Sequence, residues 1–335
     1  MKNNKPVKTH SQSGINNTHN MTANKPTYDV ISIGGSNAGL SAALLLGRSL
    51  RKVLVIDAGQ PCNRQTPHSH GFLTRDGETP AQLASIARDQ LGRYPTVQFR
   101  SDTVVTAVQT EDGFDLTTAS GKSFTSRKLL LATGLFDIMP DIPGFAECWG
   151  RSVLHCPYCH GYEVHGQPLG VLANGEVGYE MATLIQHWSS QLTLFTNGPS
   201  TLTYTQQEML QQLKIPIIET LLDAIEHQSG MLSGLRFNDG SQVQLKALFS
   251  RVPFRQHTNI ASQLGCAITD NGLIETTEFG KTTVPGVFAA GDATTLFRQV
   301  AIAVANGSKA GAWINKELIT EDLEQINQVR SRYTH

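Results

Sequence analysis

The stretch that most restricts what this chain can fold into is residues 28–57. An apolar strand, Tyr28–Ile33, runs into the turn Gly-Gly-Ser-Asn-Ala-Gly at 34–39; an apolar helix occupies 40–50, and a second strand over 52–56 ends at Asp57. Strand, glycine turn, helix, strand and acid in this register form a dinucleotide-binding βαβ unit. Gly34 makes the tight turn and Gly39 lets helix and strand pack closely; Ser36, Asn37 and Ala38 of the turn are candidate cofactor contacts, and the N-terminus of the helix suits a pyrophosphate. Asp57 is placed to accept hydrogen bonds from ribose hydroxyls. Ser36 replaces the middle glycine of the G-x-G-x-x-G pattern, and a serine is small enough to leave the phosphate access.

Downstream, residues 60–75 read as a polar loop lying along the cofactor, with Gln65 among its contacts, followed by a helix over 79–91. Short alternating segments over 104–124 read as an antiparallel meander. A strand at 128–131 then re-enters the first sheet and stops at Ala132, Thr133 and Gly134, and Pro140, Pro143 and Gly144 mark a boundary.

A second unit follows: a strand at 169–172, the turn Ala-Asn-Gly-Glu-Val-Gly at 173–178, a helix over 179–187 and a strand at 191–195. Gly175 and Gly178 are its candidate contacts for a nicotinamide nucleotide, but Ala173 stands in place of the first glycine. No Arg or Lys occurs between Arg151 and Lys214, and residues 195–198 read Phe-Thr-Asn-Gly where the extra phosphate of NADPH needs a cation. Charge-assisted hydrogen bonds contribute about 1.5 to 3 kcal/mol each, so their absence removes about tenfold or more of NADPH preference. Use of NADH, weak NADPH binding and loss of nicotinamide binding all remain open. The last quarter returns to the first domain, with a strand ending at Gly291 and Asp292 and a small-residue helix over 299–316.

Between the two units lies His-Cys-Pro-Tyr-Cys-His-Gly at 155–161. Cys156 and Cys159 are close enough to close a small disulfide ring, and a nearby imidazolium or helix N-terminus lowers a cysteine pKa from about 8.5 toward neutral. His155 and His160 are placed to supply that charge or a proton. A zinc site is disfavoured because Cys62, Cys148 and Cys266 supply no second pair at ligand spacing, so no metal is expected. Covalent haem, which the literal C-x-x-C-H suggests, calls for an exported protein, and no secretory signal is read here. An inert buried pair would leave the dinucleotide apparatus on both sides without a use. Cys62 alone reads as structural.

The formal net charge of −1 argues against nucleic acid or an anionic membrane as partner, and no apolar run approaches a membrane span. Five cysteines with one close pair point to a cytoplasmic, catalytic chain. Residues 1–27, rich in Asn, Lys, Thr and Ser, read as a disordered tail.

With GGSNAG, LLLATG, WGRSVLHCPYCHG, VPGVFAAGDAT and RQVAIAVANG in this order, the chain resembles the low-molecular-weight thioredoxin reductases over roughly residues 28–320. Its CPYCHGYE form is also similar to the flavin dithiol oxidases that close disulfides in natural products such as gliotoxin and holomycin. The resemblance implies an α/β fold of two Rossmann-like (three-layer ββα) dinucleotide-binding domains, the second inserted into the first. The FAD domain would comprise 28–141 and 249–335, and an NAD(P)-binding-like domain carrying the C-x-x-C would comprise 142–248. FAD would contact Gly34, Gly39, Asp57, Asp292, Arg298, Gln299 and Val300, with NADH or NADPH as electron donor. Cys159 takes the position beside the flavin, Cys156 that of the interchange thiol, and His160 stands where these reductases carry a proton-donating aspartic acid. The expected protein is a homodimeric thiol-disulfide oxidoreductase that moves electrons from NAD(P)H to a thioredoxin-like or small disulfide acceptor. The alternatives are an oxygen-dependent oxidase of a small-molecule dithiol and a flavin sensor without turnover.

Overall fold

The computed structural model describes Met1 and residues 27–333, so the tail expected over residues 1–27 lies almost wholly outside the described residues. The first unit forms as β1 (Tyr28–Ile33), α1 (Asn37–Arg48) and β2 (Val53–Asp57), the helix starting three residues earlier than expected, inside the glycine turn. α2 (Pro80–Leu91) begins on a capping box: the Thr79 hydroxyl accepts the Gln82 N–H, and the Gln82 side chain accepts the Thr79 N–H. β3 (Val97–Ser101), absent from the sequence reading, adds a parallel strand beside β2.

The meander is β4 (Val104–Thr110), β5 (Gly113–Thr118) and β6 (Ser123–Leu131), and β7 (Leu135–Asp137) leaves the first domain. The second unit runs through α3 (Phe145–Cys148), β8 (Val153–Leu154), α4 (Pro157–His160), β9 (Leu169–Leu172), α5 (Gly175–Ile185), β10 (Leu192–Phe195), α6 (Tyr204–Gln212) and β11 (Ile217–Ile218). A second meander, β12 (Leu222–Gln228), β13 (Met231–Phe237) and β14 (Gln242–Gln244), precedes β15 (Ala247–Ser250). β16 (Phe254–Gln256), α7 (Ile260–Gln263), β17 (Val287–Ala289) and α8 (Val300–Tyr333) complete the chain.

β6 is one strand where the sequence suggested two. Its first half pairs antiparallel with β5, and its second half lies parallel to β1 and β17, so a meander edge and a core strand share one backbone. Alternation along the strands divides the first domain's core into two layers. Val30, Val53, Val55, Leu130 and Phe288 face α1 and α8, whereas Ile31, Leu54, Leu129 and Leu131 face Phe114 and Leu116 of the meander. The small residues of α8 explain its close approach to α1: a Cβ at Gly307 would sit 2.1 Å from the Ala38 carbonyl oxygen. The helix runs well past residue 316 because ion pairs hold its next turns. Asp322 lies 2.9 Å from Arg51 and 2.7 Å from Arg127, and Glu317 lies 3.3 Å from Lys128.

The second sheet, β11-β10-β9-β15-β8, is parallel throughout. Two such units, each a parallel sheet with helices on one face and a meander on the other, make the α/β architecture of two Rossmann-like domains. Because β15 pairs with β9 as far as Ser250, and β16 pairs with β7, we place both crossings between domains at the β7–β16 ribbon.

Candidate active site

The first glycine turn is built for a ligand. Gly34 holds φ +109°, and a Cβ there would lie 2.2 Å from the Ala132 carbonyl oxygen; a Cβ at Gly39 would lie 2.0 Å from that of Gly34. No side chain caps α1 at Ser36, and no acid lies in its first turn, so its free N–H groups and positive dipole end remain available to an anion. A cavity of about 860 Å³ opens over this turn. Of the residues expected to hold the cofactor, all but Gly39 and Gln65 line it. Gly39 serves the helix-to-strand contact, and Gln65 packs beside Gly150 of the second unit. Asp57 lies at the cavity with Arg88 donating to its Oδ2 at 2.8 Å.

Asp292, also on the cavity wall, accepts from the Cys62 thiol at 3.4 Å and lies 3.5 Å from Arg298 Nε. Burial pushes the Asp292 pKa up, against the pull of Arg298. Burial, together with the Asp292 charge, pushes the Cys62 thiol up to about 12, which leaves it protonated and unreactive. Arg298 Nε is buried without a hydrogen-bond partner among the described residues. A cavity of this size, a phosphate-ready helix end and an unsatisfied buried donor on its wall fit a bound dinucleotide.

The disulfide forms as expected. Cys156 and Cys159 are bonded with their α-carbons 5.3 Å apart, within the usual span. Pro157 opens α4, whose N-cap is Cys156, and Cys156 Sγ accepts the Cys159 N–H at 3.2 Å. The sulfurs do not line the cavity; His155, the preceding residue, does. Burial, aided by the Arg298 charge, lowers the His155 pKa to about 4, so the imidazole is neutral at pH 7. Its Nε2 has no hydrogen-bond partner among the described residues. Burial also lowers the His160 pKa, with Glu163 opposing and His70 reinforcing the shift. His70, on the loop at 60–78, reaches across the domain boundary to Glu163 at 3.4 Å and faces His160 at 6.3 Å between ring centroids.

The second glycine turn is arranged differently. α5 starts at Gly175, four residues before the expected 179, because Asn174 caps it. Asn174 Oδ1 accepts from the Gly175 N–H at 2.8 Å, the Thr201 N–H at 2.9 Å and the Thr201 hydroxyl at 3.1 Å. Glu176 occupies the first turn and accepts from Gln206. A Cβ at Gly178 would lie 2.9 Å from the Ala173 carbonyl oxygen, so this glycine serves helix-to-strand packing. Arg251, just beyond β15, lies 3.5 Å from Glu180 on α5.

Sequence reasoning missed Asp137, Trp149, His70 and Glu163. Asp137 lies outside the motifs, and its partner Arg298 is 161 residues away; Trp149 opens the WGRSVLHCPYCHG stretch, where the cysteines and histidines carry the visible signal.

Comparison with known proteins agrees with this geometry. The pyridine nucleotide-disulphide oxidoreductase family pattern matches residues 28–307. The thioredoxin reductase tcpT of Claviceps purpurea is 34% identical over 304 residues, covering 88% of this chain and 95% of that protein. The solved structure of HlmI superposes with a TM-score of 0.86 at 33% identity, covering 92% of this chain and 98% of that one. An oxidoreductase from Agrobacterium tumefaciens gives a TM-score of 0.83 at 36% identity, over 88% and 99% of the two chains. The chain thus belongs to the pyridine nucleotide-disulphide oxidoreductases, as a thioredoxin reductase-like enzyme with FAD as its cofactor.

Proposed function

We propose that this enzyme oxidises a small-molecule dithiol and that dioxygen is the final electron acceptor. The observation that carries the direction is the N-terminus of α5: Asn174 occupies its first N–H, and Glu176 adds a negative charge to its first turn, which opposes a nucleotide pyrophosphate there. The parallel end of α1 carries neither obstacle.

A substrate thiolate attacks Cys156 Sγ, the Cys156–Cys159 bond breaks, and Cys159 leaves as a thiolate. The second substrate thiolate then attacks the first substrate sulfur, the product disulfide forms, and Cys156 is released. The substrate has lost two protons and two electrons, and the cysteine pair has gained the electrons. His160, kept neutral by burial, accepts a substrate thiol proton. FAD, which the α1 turn, Asp57 and the Asp292–Arg298 wall would hold, would supply the two-electron chemistry between the Cys156–Cys159 dithiol and dioxygen, the electron pair and two protons ending in hydrogen peroxide.

The opposite direction, from a nicotinamide donor to a thioredoxin-like or small disulfide acceptor, is favoured by one feature. Arg251 is a cation at the C-terminal edge of the second sheet, where a dinucleotide crevice forms. Oxygen uptake with a small dithiol, set against FAD reduction by NADH and NADPH, separates the two. Oxygen uptake that depends on dithiol, with negligible reduction by either nucleotide, is expected. Fast reduction by a nucleotide, followed by transfer to thioredoxin, overturns the oxidising direction.

A further inference from the structure

Asp137 ends β7, the strand that leaves the first domain, and its side chain is 7% exposed. Both carboxylate oxygens are engaged. Arg298, on the cavity wall, donates to Oδ1 at 2.7 Å and to Oδ2 at 3.1 Å. Trp149 Nε1 donates to Oδ2 at 3.2 Å. A paired guanidinium and carboxylate in a buried setting are held in a planar, two-point geometry.

Trp149 is itself 5% exposed and lies at the root of the disulfide segment. Its ring packs between Phe145, at 5.8 Å between centroids, and His155, at 5.9 Å. The next residue, Gly150, donates its N–H to the Val153 carbonyl at 2.8 Å, closing the turn that leads through β8 to Cys156. Asp137 therefore links two parts of the molecule that the chain keeps apart. On one side is the wall of the FAD cavity; on the other is the residue whose ring lies against the histidine that precedes Cys156.

We propose that Asp137 is a positioning residue, which sets where Cys156 and Cys159 sit relative to the FAD cavity by holding Arg298 and Trp149 on one carboxylate. It acts through the Trp149 ring on His155 and contacts neither sulfur. The proposal rests on the reading of Cys159 as the cysteine that faces FAD.

The test starts from Cys156→Ser, in which a Cys159 thiolate against oxidised FAD gives a long-wavelength absorption band. Trp149→Phe in that background keeps a ring between Phe145 and His155 and removes the indole N–H. One hydrogen bond to a carboxylate shifts a two-position equilibrium about threefold or more. The band should therefore weaken about threefold or more, while FAD content and melting temperature stay near those of the parent. Hydrogen exchange on oxidised wild type, Trp149→Phe and Asp137→Asn gives a readout that needs no band. Amides at 150–156 should exchange about threefold or more faster in both variants, and those of β9 and β10 should not. An undiminished band in Trp149→Phe, or unchanged exchange at 150–156, overturns the proposal. A parent without the band overturns the FAD-facing role of Cys159 instead, and the exchange comparison then decides on Asp137 alone.

Discussion

The N-termini of α1 and α5 occupy equivalent places in two units of the same architecture, yet only one is left open. At α1 no side chain caps the helix, the first turn has no acid, and the free N–H groups face a cavity of about 860 Å³. At α5 the side chain of Asn174 takes the first N–H and Glu176 supplies the charge that a phosphate would bring. A helix end attracts an anion only while its donors and dipole are unanswered. Fold likeness between the two domains therefore does not carry function from one to the other.

The largest expected effect follows from crowding the open turn. Gly34→Val places a side chain 2.2 Å from the Ala132 carbonyl oxygen at a φ of +109°, so the purified variant should carry no FAD. Gly178→Ala, at the closed turn, should keep the flavin-to-protein ratio of wild type. Equal flavin loss in both variants would break the contrast.

Next in size is a pH effect confined to the cavity side. His155 has a folded pKa of about 4 against an ordinary 6.5, so the unfolded chain binds the extra proton first. Stability should fall as pH drops from 6.5 to about 4, by at most about 3 kcal/mol, and level off below. Chemical unfolding of wild type and His155→Gln across this window measures the effect. A variant that keeps the full slope would assign the loss to another group.

A smaller effect is expected from reopening the second turn. Asn174→Gly combined with Glu176→Gln should tighten NADH binding about threefold to tenfold by freeing a donor and removing a like charge. Equilibrium titration of the nucleotide provides the number. In wild type NADPH should have no large advantage over NADH, since no Arg or Lys lies between Arg151 and Lys214. A hundredfold NADPH preference would mean that cations elsewhere, Arg251 first among them, read the phosphate.

What was legible in the sequence was what short-range chemistry determines. The β1 turn, α1 and Asp57 are local, and the C-x-x-C pair closed as its spacing implied. β6 was divided in two because its halves pair with different partners, a difference settled by strands far away in the chain. The start of α5 was placed four residues late because its glycines look like a loop until Asn174 caps them. Arg298 was read as a cofactor contact, and it does line the cavity. Its charge is held by Asp137, 161 residues earlier, and no local pattern announces a pair at that separation.

The central claim is that the Cys156–Cys159 disulfide carries the electron pair between a dithiol and FAD. Anaerobic rapid mixing of a small dithiol with wild type, Cys156→Ser and Cys159→Ser, read by bleaching of the flavin absorption, tests it most directly. Wild type should bleach rapidly, recover on admission of oxygen and take up more electrons than the flavin alone holds, while both serine variants stay oxidised. Bleaching of both variants at the wild-type rate would show that electrons reach FAD without the disulfide, and would contradict the claim.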